Sequence, residues 1–309
     1  MRYVLHETTT DALILTQLDL PIPVEPAEDA DQHEWSGTSS RDIAWRVYHG
    51  DAYKILERLE DESFDCVITS PPYYWLRDYK VEGQIGQEKT VTEYVDAICV
   101  VMDQIYRALK KGGILFLNIG DTYYSGKGKS HGTDPKSNKR RFGLRAVDES
   151  GGVGIGLRPK TAIGIPWRVA IEMMQRKWVL RSPIIWHRKH ALPEAVNDRP
   201  RRSYEHVFMF VKGRRYYFNR DPLVEAETED MWIITARPEA TNGIDTAPFP
   251  DELVQRCLDI GCPPGGAVLD PFAGSGTTLR VAIKSRRSAV GIDLNPQFCR
   301  YAVKQLNKL

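Results

Sequence analysis

Residues 267–278 read AVLDPFAGSGTT. Three apolar residues and an acid suit a short strand that ends at Asp270. Gly274 and Gly276 follow in a run of small residues, where the backbone adopts turns closed to other residues, and a helix is expected from Thr277. Strand, glycine turn and helix in this order are the unit of an α/β fold. The unit recurs outward from here. Residues 288–292 form a strand that runs into Asp293, and Asp251 opens a helix just upstream of the glycine turn. Earlier segments alternate in the same way: a strand at Ala44–His49, a helix at 52–59, a strand at 64–69, a helix at 91–110 and a strand at 114–118. A helix from Pro166 to about Lys177 then leads to strands at 178–187 and 204–211. The pattern predicts a doubly wound, mostly parallel sheet with helices on both faces. Ligands in such sheets bind beyond the carboxyl ends of the strands. Three of those ends draw notice: Asp51, Thr69–Tyr74 and Asp270.

The glycine turn is selective about its ligand. The dinucleotide fingerprint would need a third glycine where Leu279 stands, and a phosphate loop would need a Gly-Lys-Ser/Thr ending; both are missing. An acid about 20 residues on, Asp293, stands where a ribose hydroxyl pair is gripped. A nucleoside without a pyrophosphate fits these facts, and S-adenosylmethionine is such a molecule. Its ribose would meet Asp293, its amino-acid end would lie over Gly274 and Gly276, and Asp270 would face its ammonium group or order water there. The plainer alternatives are helix caps: Asp51 for the helix at 52–59, and Asp293 beside the Asn295-Pro296 helix start.

Composition narrows the class. Of 309 residues, 42% are hydrophobic and 27% charged, as in globular proteins with a sizeable core. No apolar run approaches the length of a membrane helix, and no secretion signal is visible at the N-terminus. Five widely spaced cysteines without a CxxC pair argue against disulfides and zinc and point to a reducing compartment, the cytoplasm. The net charge of +1 hides an uneven distribution. Residues 19–34 carry six acids, three prolines and no Lys or Arg, the composition of a loosely attached segment. Residues 126–160 carry nine Lys/Arg against three acids, either a solvated loop or an arm that meets phosphate.

The second decisive stretch is TSPPYY, residues 69–74. Two prolines end the strand at 64–69, remove two N–H donors and fix φ. Together with DPFAGSGTT, this stretch resembles the DNA amino-methyltransferases, which methylate the exocyclic nitrogen of adenine or cytosine. The turn precedes the glycine loop, as in the permuted beta group of that family. GDAYKIL (50–56), LNIGDTY (117–123), RSYEHVFMFVKGRRYYF (202–218), APFPDEL (247–253) and GIDLNP (291–296) are similar to further family blocks. One departure stands at Asp245, where members often carry histidine. The resemblance covers residues 44–309 and implies a single permuted methyltransferase domain of the S-adenosylmethionine-dependent type, with an antiparallel strand pair at one edge of its sheet. It leaves 1–43 as an N-terminal segment, 122–160 as a basic insertion and 219–246 as a short recognition region.

The chemistry such enzymes face explains the turn. An exocyclic amine is a weak nucleophile because its lone pair is delocalised into the ring. A stiff turn presents fixed acceptors to its protons: the Ser70 hydroxyl and the Pro71 carbonyl, held by Pro72, with Tyr73 stacking on the base. The base must leave the duplex, which requires a pocket, and Tyr74 or Trp75 is expected in its wall. Transfer is then a direct in-line displacement without a covalent cysteine. By resemblance, Asp51, Thr69, Asp270, Phe272, Gly274, Ser275, Gly276, Thr277 and Asp293 hold the cofactor, with Asp51 toward its adenine. Lys139, Arg140, Arg141, Arg199, Arg201 and Arg202 are expected to meet the phosphates of double-stranded DNA, and Arg237 and Asn242 are candidate base readers. Serine before the two prolines is the more usual choice among cytosine-N4 enzymes, with adenine N6 as the alternative. A homodimer and a cognate restriction endonuclease are the partners the resemblance implies. Enzymes acting on RNA bases or protein glutamine keep the opposite motif order, and a catalytically silent DNA-binding scaffold would not need an intact Ser70-Pro71-Pro72-Tyr73.

Overall fold

The computed structural model describes residues 34–124, 152–189, 196–235 and 248–309. Lys139, Arg140, Arg141, Arg237, Asn242 and Asp245 lie outside them. Nine strands form one sheet: β1 (Glu34–Thr38), β2 (Ala44–His49), β3 (Phe64–Thr69), β4 (Leu109–Ile119), β5 (Val179–Lys189), β6 (Tyr204–Val211), β7 (Met231–Thr235), β8 (Ala267–Asp270) and β9 (Ser288–Asp293), in the order β1-β2-β9-β8-β3-β4-β6-β5-β7. From β2 to β4 all neighbours are parallel. β6 runs antiparallel to both β4 and β5, and β7 lies parallel to β5 at the edge. Two antiparallel steps return β5 to the direction of the central strands. The carboxyl ends of β2, β9, β8, β3, β4 and β5 therefore share one edge of the sheet, and there β6 contributes its beginning.

Two strands differ from the expectation. β1 pairs antiparallel with β2, so the sheet starts earlier in the chain than residue 44. β7 adds an edge outside the antiparallel strands β5 and β6, which are therefore interior to it. Both are five-residue strands, and β7 keeps Met231 and Ile233 exposed on one face, so neither carries a long buried run. Lys110-Lys111-Gly112-Gly113, which reads as a helix stop, belongs to the first part of β4.

Helices cover both faces. α1 (Ala52–Leu56), α2 (Val91–Ala108) and α3 (Ile165–Gln175) pack on one. α4 (Asp221–Glu225), α5 (Asp251–Gly261), α6 (Thr277–Lys284) and α7 (Pro296–Leu306) pack on the other. The central strands are apolar on both sides for this reason: Leu115 and Leu117 of β4 face the first layer, and Ile114 and Phe116 the second. Helix starts are fixed by local chemistry. Thr90 and Glu93 form a reciprocal capping box at α2. The Asp121 carboxylate accepts from the amides of Gly164 and Ile165 at the head of α3 (3.0 Å each), where an anion also complements the helix dipole.

Candidate active site

The tips of β3 and β8 are joined by a buried carboxylate. Asp270, only 2% exposed, accepts from the Thr69 hydroxyl (2.7 Å), the Thr278 hydroxyl (2.6 Å) and the Phe272 amide (3.1 Å). Burial raises its pKa to about 6 against the pull of these donors. Its oxygens thus tie the diproline turn to the glycine turn across 201 residues of sequence. Thr69 is fully buried and serves this bridge; it does not line the cleft, contrary to its expected place among the cofactor contacts.

Beyond the strand tips lies a cleft of about 830 Å³. Ser70, Pro71, Pro72 and Tyr73 line it together with Asp51, Asp270, Phe272, Gly274, Ser275, Thr277 and Asp293. The turn is anchored from behind. The Pro72 carbonyl accepts from the Tyr94 hydroxyl of α2 (2.8 Å) and the Tyr73 carbonyl from the Leu76 amide (3.2 Å). The Pro71 carbonyl has no such donor among the described residues. Tyr74, expected in a base pocket, lines the cleft with the 2% of its surface left exposed and packs on Tyr94 with ring centroids 5.2 Å apart. Trp75 donates to the Glu88 carbonyl (2.8 Å) and does not line the cleft. Trp75 therefore anchors the turn from behind, while Tyr74 joins an anchoring contact to a place in the cleft wall.

Tyr73 is held differently. Its ring lies so close to Gly120 that a Cβ there would stand 2.7 Å from Cε2; glycine at the end of β4 permits the approach. Its hydroxyl donates to Glu205 Oε2 (2.7 Å), with Asn118 Oδ1 at 3.2 Å, and accepts from the Ser70 hydroxyl at 3.4 Å. Asn118 Nδ2 donates to the same Glu205 oxygen (3.2 Å) and to the His206 carbonyl (3.1 Å). Arg188, near the end of β5, pairs with Glu205 Oε1 at 2.9 Å. Burial, then the charge of Glu205, push the Tyr73 phenol well above its usual pKa, so it remains a donor near neutrality. Glu205, Arg188 and Asn118 were not singled out from sequence. Glu205 sits at the start of a reversed strand, not at a carboxyl end where ligand sites are expected; its one signal in the sequence is its place in the RSYEHVF block.

At the other end of the cleft, Gly274 has φ +52° and a Cβ built on it would meet no atom within 4 Å. Its amide donates to Asp293 Oδ2 (2.7 Å), while Asn295 donates to Oδ1 (2.8 Å). Asp293 is partly exposed in the cleft wall, and burial raises its pKa to about 6. Asn295, not Asp293, caps α7. Asp51 both lines the cleft and caps α1 through Lys54 (3.0 Å). Gly276 is a correction: it is buried at the head of α6, where a Cβ would stand 2.7 Å from that of Ala302, and it does not line the cleft. Tyr79 and Phe298 meet edge-on across the outer wall, 5.8 Å apart. Open backbone, a carboxylate with free lone pairs and aromatic walls fit a nucleoside sulfonium.

The mouth near Tyr73 is aromatic and basic. Trp167 and Tyr204, 42% and 48% exposed, lie edge-on to His206. The Arg199 guanidinium lies 3.8 Å from the Tyr123 ring centroid and that of Arg202 5.6 Å. Arg202 also donates to the Asp121 carbonyl, which ties it to the loop after β4. Arg201 is exposed at the rim of the cleft. No cluster of metal-ligating side chains occurs among the described residues, and no helix among them is long and apolar enough to cross a membrane.

A doubly wound sheet with a glycine turn and a diproline turn at adjoining strand tips is the layout of methyltransferases acting on amines of DNA bases, and a family model for DNA methylase of the N6/N4 type matches residues 64–304. The chain belongs to this family and is a DNA methyltransferase. Its relatives include the Type II methyltransferase M.Cfr9I of Citrobacter freundii, 36% identical over 93% of each chain. M.SmaI of Serratia marcescens is 38% identical over 84% of this chain and 90% of its own. Among solved structures, the cytosine-N4-specific PvuII DNA methyltransferase shares the fold with a TM-score of 0.65 at 21% identity, covering 87% of this chain and 86% of that one. The structure of M1.HpyAVI with S-adenosylmethionine shares it at 0.54 and 18% identity, covering 85% and 99%.

Proposed function

We propose that this cleft moves a methyl group from S-adenosylmethionine to the exocyclic amine of a base extruded from duplex DNA, with N4 of cytosine as the target. The observation that carries the reading is the Thr69–Asp270 bond at 2.7 Å. It holds the turn bearing Ser70 and Pro71 against the turn bearing Gly274, so that donor and acceptor sites open into one cleft. Bound S-adenosylmethionine supplies an electrophilic methyl on a sulfonium. Asp293 accepts from its ribose, the open backbone at Gly274 lets its amino-acid end approach, and Asp51 faces its adenine. Asp270 has its oxygens engaged by Thr69, Thr278 and Phe272; its part is to align the two turns.

Ser70 and Pro71 accept from the two amine protons, which favours a tetrahedral nitrogen with its lone pair aimed at the methyl. As the N–C bond forms the C–S bond would break, S-adenosylhomocysteine would leave as a neutral thioether, and the methylated amine would release one of its protons to solvent. Tyr73, fixed through its hydroxyl, stacks on the base, and the aromatic mouth of Trp167 and Tyr204 receives what the duplex gives up. Arg199, Arg201 and the stretch containing Lys139, Arg140 and Arg141 neutralise phosphates without reading sequence. The choice of cytosine rests on Ser70, the residue before the diproline. The reading extends to cytoplasmic action, to a second copy of the chain as a partner, and to a nuclease of the same specificity, which the Type II names of the relatives support. Incubating duplex DNA with methyl-labelled S-adenosylmethionine, followed by nucleoside mass analysis, tests the reaction. N4-methylcytosine is the expected product; N6-methyladenine would transfer the target to adenine, and tight DNA binding without any methylated base would leave a silent scaffold.

A further inference from the structure

We propose that Glu205, acting through the Tyr73 hydroxyl, fixes Ser70 as a hydrogen-bond acceptor toward the base amine. The inference rests on the amine-methylation reading and concerns how the same site achieves it. A serine hydroxyl has one proton and two lone pairs and rotates to suit its surroundings. Left free, it would spend part of its time pointing its proton at the amine nitrogen and engaging the lone pair that must attack.

The hydrogen bonds remove that ambiguity in two steps. Glu205 pairs with Arg188 (2.9 Å), and a carboxylate in such a pair can only accept. It takes the single phenolic proton of Tyr73 at 2.7 Å, the length of a strong charge-assisted bond. The phenol oxygen then has only lone pairs left for Ser70, so the Ser70 proton must point at Tyr73 across 3.4 Å. The lone pairs of Ser70 are turned toward the cleft, beside the Pro71 carbonyl, and two acceptors stand ready for two amine protons. Asn118, donating to Glu205 at 3.2 Å, holds the carboxylate from a second side. Glu205 touches no reacting atom in this scheme; it is a positioning residue whose effect passes through two hydroxyls.

A merely structural Glu205 would neutralise Arg188 and close the start of β6, and its loss would then act on stability or on binding. A double-mutant cycle separates the two roles. Ser70→Ala, Tyr73→Phe and the double variant are compared with wild type for kcat, KM, and the dissociation constants for duplex DNA and S-adenosylmethionine, each ligand measured alone. The expected result is a kcat lower by roughly ten- to a hundred-fold for each single variant, the size of one lost polar contact in the transition state. Both dissociation constants should stay within about threefold. The double variant should be no slower than Ser70→Ala, since Tyr73 has nothing to polarise once the serine hydroxyl is gone. Glu205→Gln, where it folds, should match Tyr73→Phe. Multiplying effects in the double variant, or wild-type kcat in Tyr73→Phe, would overturn the proposal. A wild-type enzyme that transfers no methyl to DNA would instead overturn the underlying reading.

Discussion

Gly274→Ala separates stability from cofactor binding at a single atom. The residue has φ +52°, a left-handed conformation that costs an L-residue roughly 1–2 kcal/mol. No atom lies within 4 Å of the added methyl, so no packing clash joins that strain. The folded variant should survive with a Tm lower by a few degrees. A ligand lying on the Gly274 backbone meets the methyl directly, and its dissociation constant should rise at least tenfold, equivalent to about 1.4 kcal/mol. Isothermal titration with S-adenosylmethionine and a thermal melt on the same preparation give both numbers. Gly276→Ala is the control of opposite kind: its methyl would lie 2.7 Å from the Ala302 methyl, so stability should fall by roughly 1–3 kcal/mol through overpacking. Cofactor affinity within twofold of wild type in a folded Gly274→Ala protein would refute the placement of the ligand over this turn.

Four further outcomes follow from the site. Asp293 titrates at about 6, and its charged form is the better acceptor for ribose hydroxyls, so the S-adenosylmethionine dissociation constant should rise as pH falls through about 6; a flat profile from pH 5 to 8 contradicts this role. Asp270 is raised from its ordinary 3.8 to about 6, so the folded state holds an extra proton between these values and its contribution to stability is greatest below 3.8 and lost as pH climbs through about 6. The stability difference between wild type and Asp270→Ala should shrink over that window, and denaturant titrations showing a constant difference would count against it. Tyr73→Ala should abolish turnover while S-adenosylmethionine still binds; intact turnover removes the stacking role. Replacing exposed Arg201 with Gln should flatten the plot of log affinity for DNA against log salt by about 0.9, and an unchanged slope takes that residue off the phosphate backbone.

The two turns were legible because proline and glycine act locally: TSPPYY and AGSGTT state their backbone geometry wherever the fold puts them. The parallel strands were legible too, since burial on both faces makes Phe64–Thr69 and Ala267–Asp270 apolar runs with sharp ends. Roles decided by direction were not. Glu205 reaches the site only because β6 runs against its neighbours; the resemblance implies an antiparallel pair, but nothing within YEHVF says which strand of the pair is the reversed one. Tyr73 and Tyr74 are chemically alike and both line the cleft, yet only Tyr73 reaches Glu205, while Tyr74 packs on Tyr94. Gly276 and Thr69 carry motif signatures of ligand contact and instead pack against Ala302 and bond Asp270. Short strands such as β1 and β7 lack the buried run that would have announced them.

The most direct test is a structure of the protein with duplex DNA and a non-reactive analogue of S-adenosylmethionine. The account requires an extruded base in the cleft, stacked on Tyr73, with its amine nitrogen at hydrogen-bond distance from both Ser70 Oγ and the Pro71 carbonyl and the sulfur side of the analogue facing it from above Gly274. A base still stacked in the helix, or an amine turned away from both oxygens, would contradict it.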